Sequence, residues 1–304
     1  MARVAPQPRY MRWAEVSGGA KLRTLNRGVY SALLVLADNA IITSRLGTAL
    51  AQVDLDVPRS LPDEPLFRGL DAPAAREFLT RMLRAWVVLR FDVGYTQGIN
   101  SIAAMLLWAT WSEIGFPSST KARAKIEDIL FWTLVALLTF HLEGYFTQTM
   151  DRMKDDAALL AAIWASPGRA LADPGALRHA DVVLTCGKLH AAELDPLLVV
   201  PKWFLTLFTH VLPLELAAHV WDGIIEHGVL RLLESSLAIA SLSLPELSQC
   251  EPSDAIAMAS ILHRPTPFTR EAFDAAVVAC ALRPDALFEA EQALIGERAR
   301  SHLD

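Results

Sequence analysis

"DAPAAREFLTRMLRAWVVLRFDVGYTQGINSIAAMLLWATWSEIG", Asp71 to Gly115, holds two helical periodicities joined by a break too elaborate for a plain connection. In the first half Phe78, Leu79, Met82, Leu83 and Trp86 fall on one stripe, with Arg76, Glu77, Thr80, Arg81 and Arg84 mostly opposite. Asp71 is placed to cap that helix, and Pro73 sits in its first turn, where an N–H has no helical partner to lose. The second helix is predicted from about Ile99 to Glu113, stopped by Gly115 and Pro117. Between them, in Phe91 to Asn100, Gly94 and Gly98 bracket Tyr95, Thr96 and Gln97, although one glycine suffices to end a helix. Two readings stay open. Gly94 is a helix C-cap and Gln97 a solvated residue, or the glycines let the backbone approach a ligand with Gln97 projecting at a helix N-terminus, where free N–H groups favour developing negative charge.

The same periodicity runs outward in both directions. Lys121 to about His141 contains "ILFWTLVALLTF", apolar nearly all round and therefore central. Asp155–Trp164, Leu177–His190, Lys202–Val211, Leu214–His227 and Leu230–Leu242 continue it, and three more helices follow Ser253, Thr269 and Pro284. No run alternates with period two long enough for a sheet, and no repeat of about 20–50 residues occurs. The prediction is all-α: one large multi-helix domain over 1–304, with an N-terminal lobe of about 1–150 and a C-terminal lobe of about 151–304. Hydrophobic residues make up 53% of the 304, enough for an extensive core.

Composition narrows the function. A formal net charge of −6 argues against a dedicated nucleic-acid binder. Cys186, Cys250 and Cys280 are far apart, odd in number and without metal-ligand spacing, which suits small core residues in a reducing compartment. The N-terminal MARVAPQPRYMRW has no apolar signal core, and the solidly apolar Ile102 to Trp111 is too short for a bilayer. The expectation is a cytoplasmic protein without a transmembrane segment. The phosphate-binding pattern G-x-x-x-x-G-K-[ST], the zinc pattern H-E-x-x-H and the nucleophile elbow G-x-S-x-G are all missing. His190 and Glu193 alone do not make a metal site. A self-contained hydrolase is hard to build from these residues.

A second unusual stretch is "VDLDVPRSLPDEPLF", Val53 to Phe67, where Pro58 and Pro62 bracket Arg59 and Pro65 follows. Proline fixes its own φ and pushes its predecessor away from helix, so this segment is predicted to be extended and stiff. Stiffness around an Arg reduces the entropy lost when its guanidinium is aimed at an anion, and Asp56 is placed to pair with it. Taken alone, the stretch reads more readily as a surface loop with an incidental Arg. A helix over about 71–91 is about 30 Å long. Extended residues 60–70 span about 35 Å, so the two loops are permitted, not required, to meet.

These residues resemble the TBC domain of Rab GTPase-activating proteins, whose motifs are R-x-x-x-W, I-x-x-D-x-x-R and Y-x-Q-G. Arg9-Tyr-Met-Arg-Trp13, Val53-Asp-Leu-Asp56-Val-Pro-Arg59 and Tyr95-Thr-Gln97-Gly98-Ile-Asn100 follow in the family's order. Pro201–Pro213 ("PKWFLTLFTHVLP") and Val220–Gly228 ("VWDGIIEHG") are similar to its C-terminal half. The departures are Val53 for Ile, Ser60 for Thr, and Thr96 and Ile99 where Cys and Met are common.

The resemblance implies an Arg finger, Arg59, and a Gln finger, Gln97, supplied to a GTP-bound Rab-family GTPase that carries the GTP and Mg²⁺ itself. Arg9, Trp13, Asp56, Tyr95, Gly98 and Asn100 would support them, and Trp203, Phe208, Trp221 and Asp222 would be packing residues. It further implies a role in vesicle trafficking, with recruitment to endomembranes through the partner. The rival reading is a TBC-like adaptor that binds a GTPase without catalysis; a helical solenoid is disfavoured by the missing repeats.

Overall fold

Apolar spacing that predicts helix is helix in a computed structural model that describes residues 7–117 and 119–301, with side chains to residue 296. The first six residues of the N-terminal stretch lie outside it. The fold is all-α: no strand forms among the described residues, where Leu171 and Leu282 make an isolated antiparallel bridge. The chain divides into two compact units, Met1–Thr149 and Met150–Asp304.

The first unit comprises α1 (Arg9–Val16), α2 (Gly19–Leu25), α3 (Val29–Ala37), α4 (Ala40–Arg45), α5 (Gly47–Asp56), α6 (Pro65–Arg68), α7 (Ala72–Leu89), α8 (Ile99–Ile114) and α9 (Thr120–Ala136). Its centre is α8, in which every residue from Ile99 to Trp111 is buried. A helix apolar all round has to be enclosed by others. The stripe of α7 supplies one wall, with Phe78, Leu79, Met82, Leu83 and Trp86 all buried. In α9, Glu127, just before the apolar run, is buried and accepts from Tyr30 Oη of α3 at 2.5 Å and Arg81 Nε of α7 at 2.8 Å. A carboxylate taken out of water needs such donors.

Two local expectations for this unit are corrected. Asp71 does not cap α7: its own backbone is already helical (φ −84°, ψ −7°) and its side chain bonds no N–H of the first turn. Nor is Val53–Phe67 extended. Its first four residues finish α5, Val57–Arg59 forms a 3₁₀ turn, and α6 follows at Pro65. The φ that proline imposes also suits a helical turn, and Val57 adopts φ −56°, ψ −47° despite preceding Pro58.

The second unit comprises α10 (Asp151–Ala165), α11 (Pro167–Ala170), α12 (His179–Ala191), α13 (Val200–Phe204), α14 (Leu214–His227), α15 (Val229–Leu242), α16 (Leu244–Leu247), α17 (Ala255–Leu262), α18 (Arg270–Ala279) and α19 (Pro284–Ser301). The helix expected over Lys202–Val211 stops at Phe204, because Leu207 (φ 44°) and Phe208 (φ 64°) turn the chain. Indole donors fasten this turn: Trp203 Nε1 bonds Leu262 O at 3.0 Å and Trp221 Nε1 bonds Leu207 O at 2.9 Å. Trp203, Phe208 and Trp221 are fully buried, and Asp222 is half-buried.

Two outcomes follow for stability. A Cβ on Gly19 of α2 would lie 2.8 Å from Thr133 Cα of α9, so the helices touch there through backbone. Gly19→Ala should therefore force them apart and lower stability by about 1–3 kcal/mol, read by urea denaturation. His141, half-buried with Nε2 3.4 Å from Ser17 O, has its pKa lowered by burial. It is neutral when folded, so its contribution is full above its ordinary value of 6.5 and is lost as pH falls below that toward the depressed value. The melting temperature should drop on acidification through this window, and less steeply in His141→Gln.

Candidate functional site

At the C-terminal end of α5, the Asp56 side chain is fully buried (0% exposed). A carboxylate there meets the negative end of the helix dipole as well as the desolvation penalty, so it depends on donors. Gln52 Nε2, one turn back, bonds Oδ1 at 3.1 Å. Arg59, folded back by the 3₁₀ turn, donates Nε at 2.8 Å, and Nη2, to the same oxygen. Tyr95 Oη, from the glutamine loop, donates to Oδ2 at 2.9 Å. Burial, then the Asp56 charge, pushes the Tyr95 phenol well above its ordinary range, so it remains a donor.

A second chain of bonds runs beside the first. Ser60 Oγ donates to Asp56 O at 2.8 Å, and buried Asn100 donates Nδ2 to Ser60 Oγ at 2.8 Å. Asn100 Oδ1 accepts the Gly98 N–H at 3.1 Å. Gly98, at φ 112°, is the residue that admits α8 at this angle; a side chain there would be strained. Just past Ser60, buried Leu61 takes φ 45°, which turns the chain toward α6. The arginine turn and the glutamine loop therefore meet, through Asp56–Tyr95 and Ser60–Asn100.

The two candidate groups differ from everything around them. The Arg59 side chain is 55% exposed, with Nε and Nη2 turned to Asp56 and the rest of its five donors facing out. Gln97 is exposed, and its amide has no hydrogen-bond partner among the described residues. The helix N-terminus itself is not an open anion site, contrary to the expectation drawn from its position. Gly98 N–H goes to Asn100 Oδ1, Ile99 N–H to Thr96 O, and Ser101 and Ile102 N–H to Gly98 O. What the loop offers is the Gln97 side chain.

The proposed supports separate. Asp56, Tyr95, Gly98 and Asn100 belong to the network just described. Arg9 bonds Glu113 Oε2 through its backbone N–H at 2.7 Å, with its guanidinium 3.9 Å from Oε1. Glu113 is thirteen residues beyond Asn100, about 20 Å along α8. Trp13, 1% exposed, packs in the same helix α1. Arg9 is thus bonded at the far end of α8, away from Asn100, and Trp13 is a buried residue of α1. The sequence reading missed Gln52, though its spacing four before Asp56 on a helix was a usable signal. It also missed Trp86 Nε1, 3.0 Å from Gly94 O, and Thr96 Oγ1, 3.2 Å from Phe146 O, which no local pattern reveals.

This constellation has one cationic fork and one uncommitted amide, and no group of three His, Cys, Asp or Glu among the described residues is arranged for a metal. It is suited to stabilising anionic oxygens and orienting a polar neighbour, not to attacking a bond itself.

Residues 40–169 and 177–247 match the model of the Rab-GTPase-TBC domain, a span that includes Arg59 and Gln97 and leaves out Arg9 and Trp13. Growth hormone-regulated TBC protein 1 of Rattus norvegicus is 30% identical over 201 residues, 64% of this chain and 59% of that protein. TBC1 domain family member whacked of Drosophila melanogaster is 27% identical over 233 residues, 76% of this chain and 54% of its own length. The chain thus spans less than two thirds of these relatives. Among solved structures, the Ypt/Rab-GAP domain of Gyp1p aligns with TM-score 0.68 at 16% identity, covering 94% of this chain and 88% of that one. The Chlamydomonas flagellar RabGAP TBC domain aligns with TM-score 0.64 at 22% identity, covering 91% and 81%.

The Asp56 network makes a measurable demand. Tyr95→Phe removes one donor from a buried charge and should cost about 1.5–3 kcal/mol in urea denaturation. Combined with Asp56→Asn, the loss should fall short of the sum of the single losses by about 1 kcal/mol or more, because both variants break the same bond.

Proposed function

Since the chain belongs to the Rab-GTPase-TBC domain family, we propose that it accelerates GTP hydrolysis by a Rab-family small GTPase in its GTP-bound state, supplying Arg59 and Gln97 in trans. The observation that carries this reading is their shared scaffold. Two segments far apart in sequence are joined through the buried Asp56 carboxylate, and each presents one exposed polar group.

GTP and Mg²⁺ belong to the partner, whose own residues hold the phosphates. Arg59 neutralises charge that builds on the β–γ bridging and γ-phosphate oxygens as the bond breaks. Its planar fork suits this, since Asp56 orients one edge and leaves the other for the phosphate. An arginine supplied in this way is worth about 10³–10⁵ in rate, or about 4–7 kcal/mol of barrier. Gln97 orients the attacking water, a task many GTPases give to a glutamine of their own. Its carbonyl accepts from the water while its amide donates toward the phosphoryl oxygens. Among the described residues no helix is long and apolar enough to cross a membrane. Action on endomembrane vesicles from the cytoplasm would accordingly come through the partner.

A GTP-hydrolysis screen against purified Rab proteins tests the activity. With a responsive Rab, Arg59→Lys keeps the charge but loses the fork, and acceleration should fall by orders of magnitude with folding unchanged. A Lys variant within a few-fold of wild type rejects the finger assignment. Gln97→Ala should lower kcat strongly while leaving affinity for the GTP-loaded partner nearly intact, as befits an interaction made mainly in the transition state. A Rab whose own switch glutamine is replaced by Ala should still respond to the wild-type chain. An adaptor would bind the GTPase and show none of these rate effects.

A further inference from the structure

We propose that Trp86 and Thr96 are positioning residues that clamp the backbone on either side of Tyr95 and so fix the point from which Gln97 projects; this rests on the reading of Gln97 as a water-orienting group.

Three successive residues of the loop are each tied to a different part of the first unit. Gly94 O accepts from Trp86 Nε1 of α7 at 3.0 Å. Tyr95 Oη donates to Asp56 of α5 at 2.9 Å. Thr96 Oγ1 donates to Phe146 O, in the segment beyond α9, at 3.2 Å. The next residue, Gln97, is the one left unfastened, and the backbone is fastened again at Gly98 by Asn100 Oδ1. Such an arrangement removes the loop's freedom and leaves the glutamine its side-chain torsions alone.

The clamps matter because packing cannot replace them here. A half-open pocket of about 250 Å³ adjoins the start of the loop at Val93, and its walls include Trp86, Arg90, Leu138, Glu143 and Phe146. Gly94, Tyr95 and Thr96 are only half-buried and Gln97 is exposed, so packing alone holds this segment less firmly than a core residue is held. Gly94 at φ 74° has open space around its α-carbon, which makes the backbone there easy to re-route. Trp86 itself is well held: it is 1% exposed, and the Arg90 guanidinium lies 5.8 Å from its ring centroid. The Phe146 ring is buried too, so its carbonyl is a fixed acceptor. Neither tie touches the reacting atoms; both act by keeping the Gln97 backbone in register with Arg59.

The test uses the full chain and a Rab that it activates, with kcat, KM and melting temperature measured for each variant. Thr96→Val is nearly isosteric and deletes only the hydroxyl. It should lower kcat by about ten- to a hundred-fold, with KM and melting temperature close to wild type, as a small misplacement of an orienting group does. Thr96→Ser restores the donor and should recover most of the rate. Trp86→Phe, which deletes the indole N–H, should act in the same direction on kcat. Wild-type kcat in Thr96→Val while Gln97→Ala is inactive overturns this inference alone. A Thr96→Val defect that Ser does not rescue, or one that appears in KM and melting temperature together, also overturns it in favour of a merely structural residue. Wild-type kcat in Gln97→Ala instead rejects the water-orienting reading, and the clamp falls with it.

Discussion

A single carboxylate, Asp56, organises this site because it is fully buried. An ionised group at the wrong end of a helix dipole and out of water is tolerated only when donors surround it. Its donors come from three places: Gln52 one turn earlier, Arg59 one turn later, and Tyr95 nearly forty residues on. Satisfying the charge therefore brings the arginine turn and the glutamine loop together. The same requirement holds Arg59 by one edge while its outer face stays in solvent, so an exposed cation is aimed without being neutralised at every donor.

The loops are exact only because what carries them is not a loop. Helix α8 is buried along most of its length, and Asn100 in its first turn reaches both Ser60 and Gly98. Helix α5 is fastened to α7 by the two-pronged Arg84–Asp54 pair at 2.9 and 2.8 Å. Exposed functional groups on segments rooted in a packed core combine access with small positional error. This suits the proposed trans-acting role, in which the penalty for misplacement is paid in rate.

The family match and the hydrogen-bond network cover the same stretch of the first unit. Arg59, Gln97 and their network fall inside the matched segments, whereas Arg9 and Trp13 fall outside them, and Arg9 bonds Glu113 near the opposite end of α8. Arg9 of the first motif is thus tied to the central helix, and Asp56, Arg59 and Tyr95 of the other two to one network. Trp203, Phe208 and Trp221 of the second unit are core, consistent with large indoles whose N–H groups find backbone carbonyls.

The sequence by itself determined the all-α class, the stripe of α7 and the full extent of α14 from Leu214 to His227, and it offered the pairing of Arg59 with Asp56 as one of two roles for that carboxylate. These follow from spacing along the chain: period 3.6 places apolar residues on a face, and three residues across a turn bring two side chains together. Tertiary structure decided what spacing leaves degenerate. Proline at position 58 is compatible with extended chain or helical turn; the fold has the turn, which lets Arg59 bond the buried Asp56. The run from Trp203 to Phe208 looks helical in composition, yet Leu207 and Phe208 turn left-handed where buried indoles bond the backbone. The anchors of Gly94 and Thr96 lie on α7 and beyond α9, so no reading of Phe91 to Asn100 reveals them. Local patterns specify which faces are apolar, and only the packed fold specifies which polar groups are left to meet.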